Sequence, residues 1–280
     1  MTNMIKPFPN KKQGSVLELA ERLMREAEIT PEIKPDALET SPKPTRKPKP
    51  SPIINPISAD IIKSDYVQVP NEDFIIAIAE TDKGLNYYNA NKVVMQRGLF
   101  VPDVREFMSF HNHVIDAYKN KKTILGADGN PISDKTKKDL YRQLTEDCWT
   151  WLNGKFIIKD SKRALEKIIG LDSKGKLITN EEPLEDCLMS DSYVYFTKLN
   201  GQGFPNISSK YSKQDYQKGK NIYFYFPRDG AVAGFGAYSG GADLDCSGYP
   251  SSSYGSLGVR AVRRDVSKAR KHLINGGGSK

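Results

Sequence analysis

"LNYYNANKVVMQRGLFVPDVREFMSF", Leu85 to Phe110, holds two helix signatures with a break between them. In the first, Leu85, Tyr88, Val93 or Val94 and Met95 recur at roughly helical intervals, and Gly98 is placed to stop the helix as a C-terminal cap. Pro102 then breaks the chain and Asp103 is positioned as an N-cap. Phe107, Phe110, Val114 and Tyr118 form the apolar stripe of a second helix. Ahead of both, Phe74 to Ala79 is a continuous apolar run short enough for a buried strand.

Working towards the C-terminus, a third helix is expected from Asp134 to Thr145. The cluster "DCWTWLNGKFII" from Asp147 then reads as extended chain, with Trp149 and Trp151 on one side of it. Two tryptophans so placed serve either as a stacking platform or as core beside a sheet, and core packing is the expectation. "SKRALEKIIGLDSKGKLI", from Ser161, reads as a short helix ended by a glycine and followed by a turn. After Pro183, "SYVYFTKL", "NIYFYFP" and "LGVRAVRR" are strand-like pieces separated by long Gly/Ser/Asn-rich loops. A strand, then helices, then a run of strands defines an α+β chain and excludes a doubly wound parallel one.

The flanks differ in kind. Ser15 to Ile29 places Val16, Leu19, Ala20, Leu23 and Ala27 on one helical face, and Ser15 with Glu18 has capping-box spacing. A lone helix of this length is marginal in water, so it is expected to dock on the main domain, on its own copy or on a larger assembly. Prolines recur closely from Thr30 to Pro56 and leave a semi-extended Pro/Lys-rich linker. The expected layout is an amphipathic helix (1–29), a linker (30–56), a ligand-binding domain (57–266) and a basic flexible tail (267–280).

At 280 residues, 38% hydrophobic and 27% charged, the chain can bury a real core, and no apolar run is long enough to cross a bilayer as a helix. Its start lacks the features of a secretory signal, so a cytoplasmic or virion-associated location is expected. Cys148, Cys187 and Cys246 are odd in number and far apart, which fits structural thiols and neither a disulfide framework nor a zinc site. The net charge of +8 gathers at Lys43, Arg46, Lys47 and Lys49 and again at Arg260, Arg263, Arg264, Lys268, Arg270 and Lys271. Solvated linker and exposed strand faces explain it, and nucleic-acid association through linker and tail is the alternative.

The strand followed by Leu85–Phe110, with its "RGLFVP" turn and Asp-x-x-Glu helix start, resembles the "A…yC…G-x-R-L-P-T-x-x-E-W" segment of the formylglycine-generating-enzyme-like branch of the C-type lectin fold. "SLGVRAVRR", from Ser256, resembles that superfamily's closing "G-F-R-x-V-R" strand. The likeness covers Phe74 to Arg264, with Phe100, Val101 and Phe107 standing where Arg, Leu and Trp are common. It implies two helices packed on mixed, short antiparallel sheets. Enzymes of the branch bind copper through two nearby cysteines, and here Cys246 stands in that region with Cys187 the one other candidate. Iron-dependent relatives use clustered histidines. His111 and His113 at i and i+2 diverge around a helix and are expected to be exposed or capping, while His272 lies in the basic tail. The lectin branch's calcium-binding motifs are absent, and Asp243 with Asp245 reads as a turn, so no metal and no cofactor is assigned.

Binding without chemistry remains. "GAYSGGADLDCSGYPSSSYGSLGVRAVRR", Gly236 to Arg264, reads as a long surface loop pinned by the final strand. Its candidate ligand-binding residues are Tyr238, Ser239, Asp243, Asp245, Ser247, Tyr249, Ser251, Ser252, Ser253 and Tyr254. Tyr gives contact area at low entropic cost, and Ser, Gly and Asp give adaptable hydrogen bonding. The resemblance implies more, because variable proteins of diversity-generating retroelements display such residues on this fold. The expected function is a non-enzymatic display protein of a phage or mobile element that binds a protein or glycan. A nucleic-acid-associated basic protein and a formylglycine-generating-enzyme-like oxidoreductase are the alternatives.

Overall fold

The computed structural model describes residues 65–160, 162–206 and 216–264. The expected N-terminal helix (1–29), the linker (30–56), the domain's first residues (57–64), the basic tail (267–280) and His272 lie outside the described residues. Along the chain come β1 (Tyr66–Gln68), β2 (Phe74–Ala77), α1 (Tyr87–Gln96), α2 (Val104–Lys119), α3 (Asp134–Glu146), β3 (Asp147–Lys159) and β4 (Lys162–Leu171). Then follow β5 (Leu177–Pro183), β6 (Ser192–Val194), β7 (Ile222–Tyr225), β8 (Val232–Tyr238), β9 (Gly241–Gly248) and β10 (Val262–Arg264). The class is α+β, as the order of elements implies.

Each helix has a chemical start and stop. Asn86 caps α1 by accepting from the Asn89 amide at 2.9 Å, and Gly98, at φ +70°, ends it in a conformation that costs a glycine little. Tyr87, Ala90, Val94 and Met95 face inward, so the buried tyrosine is Tyr87 and its neighbour Tyr88 is exposed. α2 begins with a complete capping box. Asp103 accepts from the Glu106 amide and Glu106 accepts from the Asp103 amide, both at 2.8 Å. Phe107, Phe110 and Val114 are fully buried, and Tyr118 stacks on Tyr141 of α3 with ring centroids 3.9 Å apart. Ser133 caps α3.

The strands form a small sheet, β1-β2-β10, and a seven-stranded sheet, β5-β4-β3-β8-β9-β7-β6, in which β7 and β9 run parallel and the other pairs antiparallel. α2 and α3 cover the inner face of the large sheet. Phe107, Phe110, Leu140 and Leu144 pack there against Cys148, Leu152, Phe224, Phe235, Leu244 and Cys246. A second core joins α1 to Trp151, Leu257, Val259 and Ala261.

The two quoted ends of the domain meet. Phe100, in the turn between α1 and α2, exchanges both backbone hydrogen bonds with Val262 of β10, at 2.9 and 2.8 Å. Glu106 is buried, and besides closing the capping box it takes a bidentate pair of hydrogen bonds from Arg264 at 2.6 and 2.7 Å.

Two expectations are corrected. Residues from Lys162 form β4 and not a helix, since β4 pairs on both sides, with β3 and β5, and so buries Ala164, Leu165 and Ile168. Pairing on two edges outweighs the helix preference of Leu, Glu and Lys. Arg260 and Arg264 of "LGVRAVRR" are not a solvated basic face either. Arg260 is wholly buried, donating to the Ala77 and Ile78 carbonyls and to Gln143, and Arg264 is bound to Glu106.

Candidate functional site

The stretch read as a surface loop is for the most part a hairpin. Gly236 to Gly248 lies in β8 and β9, joined through a tight turn at Ser239 and Gly240. Ala233, Phe235 and Ala237 of β8 and Ala242, Leu244 and Cys246 of β9 point into the core. The alternate residues Gly234, Gly236, Tyr238, Asp243, Asp245 and Ser247 therefore point outward. Asp243 and Asp245 occupy strand positions, not a turn.

Register across the sheet shows what shares that outward face, because directly paired residues stand on the same side. One row runs Tyr193, Tyr223, Asp243, Gly236, Trp149 across five strands, from β6 to β3. A second runs Tyr225, Asp245, Gly234, Trp151. At the hairpin end Tyr238 pairs with Asp147 and with Gly241. Tyr193 packs edge-on against Tyr223 at 5.0 Å and Tyr223 against Tyr225 at 4.9 Å, so the tyrosines form a ladder along one flank.

Gly236 leaves room for its neighbours across the strands. A Cβ at this position would come within 2.9 Å of the Trp149 ring and 3.0 Å of an Asp243 oxygen. The missing side chain lets the indole and the carboxylate close over the same spot. Trp149 is 41% exposed whereas Trp151 is buried, its indole nitrogen donating to the Leu85 carbonyl at 3.0 Å. Core packing thus holds for Trp151 alone, and Trp149 belongs to the surface.

The carboxylates are held at a cost. Burial and the adjacent Asp245 carboxylate together push Asp243 up to about 7, and no hydrogen-bond donor reaches it among the described residues. Asp245 accepts from the backbone and hydroxyl of Ser247, both at 2.7 Å. Burial, then Asp243, Tyr223, Asp245 and Tyr238, push the Tyr225 hydroxyl up to about 12, which places these groups in one electrostatic neighbourhood.

Of the sequence-derived residues, Tyr238, Asp243, Asp245 and Ser247 come together on this face, with Ser239 in its hairpin turn. Tyr249, Ser251, Ser252, Ser253 and Tyr254 lie on the return segment that follows β9. The Pro250 carbonyl takes the Tyr87 amide there at 3.1 Å, and the segment rejoins β3 where the Gly258 amide donates to Trp149 at 2.8 Å. Tyr249 and Tyr254 are about 60% exposed, at 62% and 61%, and Ser251 and Ser253 are exposed while Ser252 is half-buried. The sequence reading missed Tyr193, Tyr223 and Tyr225, and it set the stacking use of Trp149 second to core packing. The signal for β7 was present in "IYFY", where Ile222 and Phe224 point inward and Tyr223 and Tyr225 outward.

Elsewhere burial shifts the cysteines and His111. Burial raises all three thiols, Cys187 to about 11, and disfavours the thiolate. His111 is neither exposed nor capping. It is buried against Phe196 and Phe235, and burial lowers it to about 4. Among the described residues no three His, Cys, Asp or Glu side chains are grouped to hold a metal. A separate pocket of about 270 Å³ is lined by Asp103, Glu106, Lys167 and Arg264, whose charges pair with each other or with Glu182.

Fold and site together define an α+β protein with an open, aromatic-walled, carboxylate-floored sheet face. No family model, curated protein or solved structure matches this chain.

Proposed function

We propose that the chain is a non-enzymatic ligand-binding protein that engages a partner on the outward face of β3, β8, β9, β7 and β6. The observation that carries this is the exposure of Trp149, Tyr225 and Tyr238 around Asp243 and Asp245 on strands whose other face packs against α2 and α3. Large aromatics left in water on a rigid surface, beside carboxylates that would be better solvated elsewhere, are what a contact surface requires and what a purely structural sheet avoids. Strands hold these side chains in place before binding, so little ordering entropy is lost on contact.

The finer reading is a C-type-lectin-like domain of the formylglycine-generating-enzyme-like branch, used as a diversified display protein. The meeting of the two resemblance-bearing segments supports it, through the Phe100 and Val262 pairing and the Glu106 and Arg264 ion pair. Sequencing close relatives tests the display reading. Variation should concentrate at outward positions such as Tyr223, Tyr225, Tyr238, Asp243 and Tyr249 and spare inward Phe224, Phe235 and Leu244. Variation spread evenly over both sets would refute it.

A further inference from the structure

The face has a charge of its own. The chain is strongly basic overall, at +8, yet the floor of the face is formed by Asp243 and Asp245. The forces on Asp243 come from burial and Asp245, with no cation among them. Arg142, at the rim, lies 3.4 Å from Asp147 and is paired with it. Among the described residues no Lys or Arg pairs with either carboxylate, so the two repel one another, and a cation seated between them relieves both. The walls add to the same preference, since tyrosine and tryptophan present π-electron faces that attract ammonium and guanidinium groups.

The geometry also bears on what kind of molecule fits. Sugar rings stack on flat, coplanar aromatic platforms, whereas the tyrosines here meet at 79° and 68°. Such a ladder leaves slots between ring edges, suited to an alkyl stem with a charged tip. The row from Tyr193 to Trp149 crosses five strands, about 19 Å at ~4.8 Å per strand, far more than a single small amine would cover.

Resting on the contact-face reading above, we propose that the occupant is a protein segment presenting a lysine or arginine. Its cation sits between Asp243 and Asp245 and its stem lies along Tyr223, Tyr225 and Trp149.

The test is a selection of random peptides on the immobilised full-length chain, run in parallel on its Tyr223→Ala/Tyr225→Ala variant. The expected result is enrichment of Lys- or Arg-bearing peptides on the wild type and none on the variant. One enriched peptide, synthesised, should then bind Asp243→Asn/Asp245→Asn at least about tenfold more weakly. The asparagines remove charge without adding bulk, so the fold is kept. Enrichment of neutral or acidic peptides that still need the tyrosines, or capture of arrayed glycans in their place, overturns the cationic partner and leaves the contact face standing. Enrichment indifferent to the tyrosines, or no enrichment, overturns both.

Discussion

At the scale of single residues, Asp243 shows stability given up at a surface. Its carboxyl ionises near 7 because of burial and Asp245, while Tyr223 and Tyr225 of β7, Tyr238 of β8 and Trp149 of β3 provide no compensating charge. A carboxyl raised on folding is harmless below its unfolded pKa and destabilises as pH climbs through its folded one. Asp243→Asn should therefore raise stability by roughly 2–4 kcal/mol at pH 8 and change nothing at pH 4, read from urea midpoints at the two values. Equal effects at both pH values would contradict the ionisation. His111 acts in the opposite range. Its ring sits 4.9 Å from Phe196 and 5.3 Å from Phe235 and is kept neutral by burial, with its pKa lowered to about 4. The unfolded chain takes up this proton more readily, so stability is complete above about 6.5 and falls by about 3 kcal/mol as pH drops to 4. His111→Phe should flatten that part of the acid-denaturation profile. An unchanged slope would assign it to other groups.

At the scale of elements, the hairpin β8–β9 makes the site, and Gly236 lets Trp149 and Asp243 approach each other over it. Gly236→Ala inserts a methyl where Trp149 and Asp243 already approach within 2.9 and 3.0 Å. It should displace the indole, shift its fluorescence and cost about 1–3 kcal/mol. An unchanged emission spectrum would mean that Trp149 does not lie over the glycine. This element also shows what the sequence could and could not convey. The end of the first helix and the start of the second were legible because Gly98 and Asp103 act locally, through caps that need no distant partner. The hairpin was not, because "GAYSGGADLDCSG" has the small polar residues of a loop, and its pairing with β3 and β7 is set by strands far away in the chain. β4 was hidden for a related reason, its helical composition being overruled by neighbours on both edges. The site was half legible. Tyr238 and Asp243 were found by composition, whereas Trp149 and Tyr225 join them only through register.

At the scale of the whole molecule, the closing segment holds the domain together. Arg260 lies wholly buried against the Phe110 ring, with its guanidinium shared among the Ala77 and Ile78 carbonyls and Gln143, and its charge offsets the buried Glu80 nearby. Arg260→Met removes the donors to two carbonyls and to Gln143 and leaves Glu80 with Lys83, the Cys148 thiol and the Trp149 amide alone, and should cost about 3–5 kcal/mol in denaturant unfolding. A loss under 1 kcal/mol would show that the buried charge is dispensable. With the ends clasped and the inner face packed, α1 and the return segment cover the outer face around Trp151 and Val232, and the part around Trp149, Tyr225 and Tyr238 is left as the open surface; that is the central claim. Hydroxyl-radical labelling of the full-length chain, free and with a selected basic peptide, tests it most directly. In the free chain Trp149, Tyr225 and Tyr238 should label rapidly and Trp151 and Tyr87 slowly, and the peptide should protect the first three alone. Slow labelling of Trp149 and Tyr238 in the free chain, or protection falling on another surface, would contradict the account.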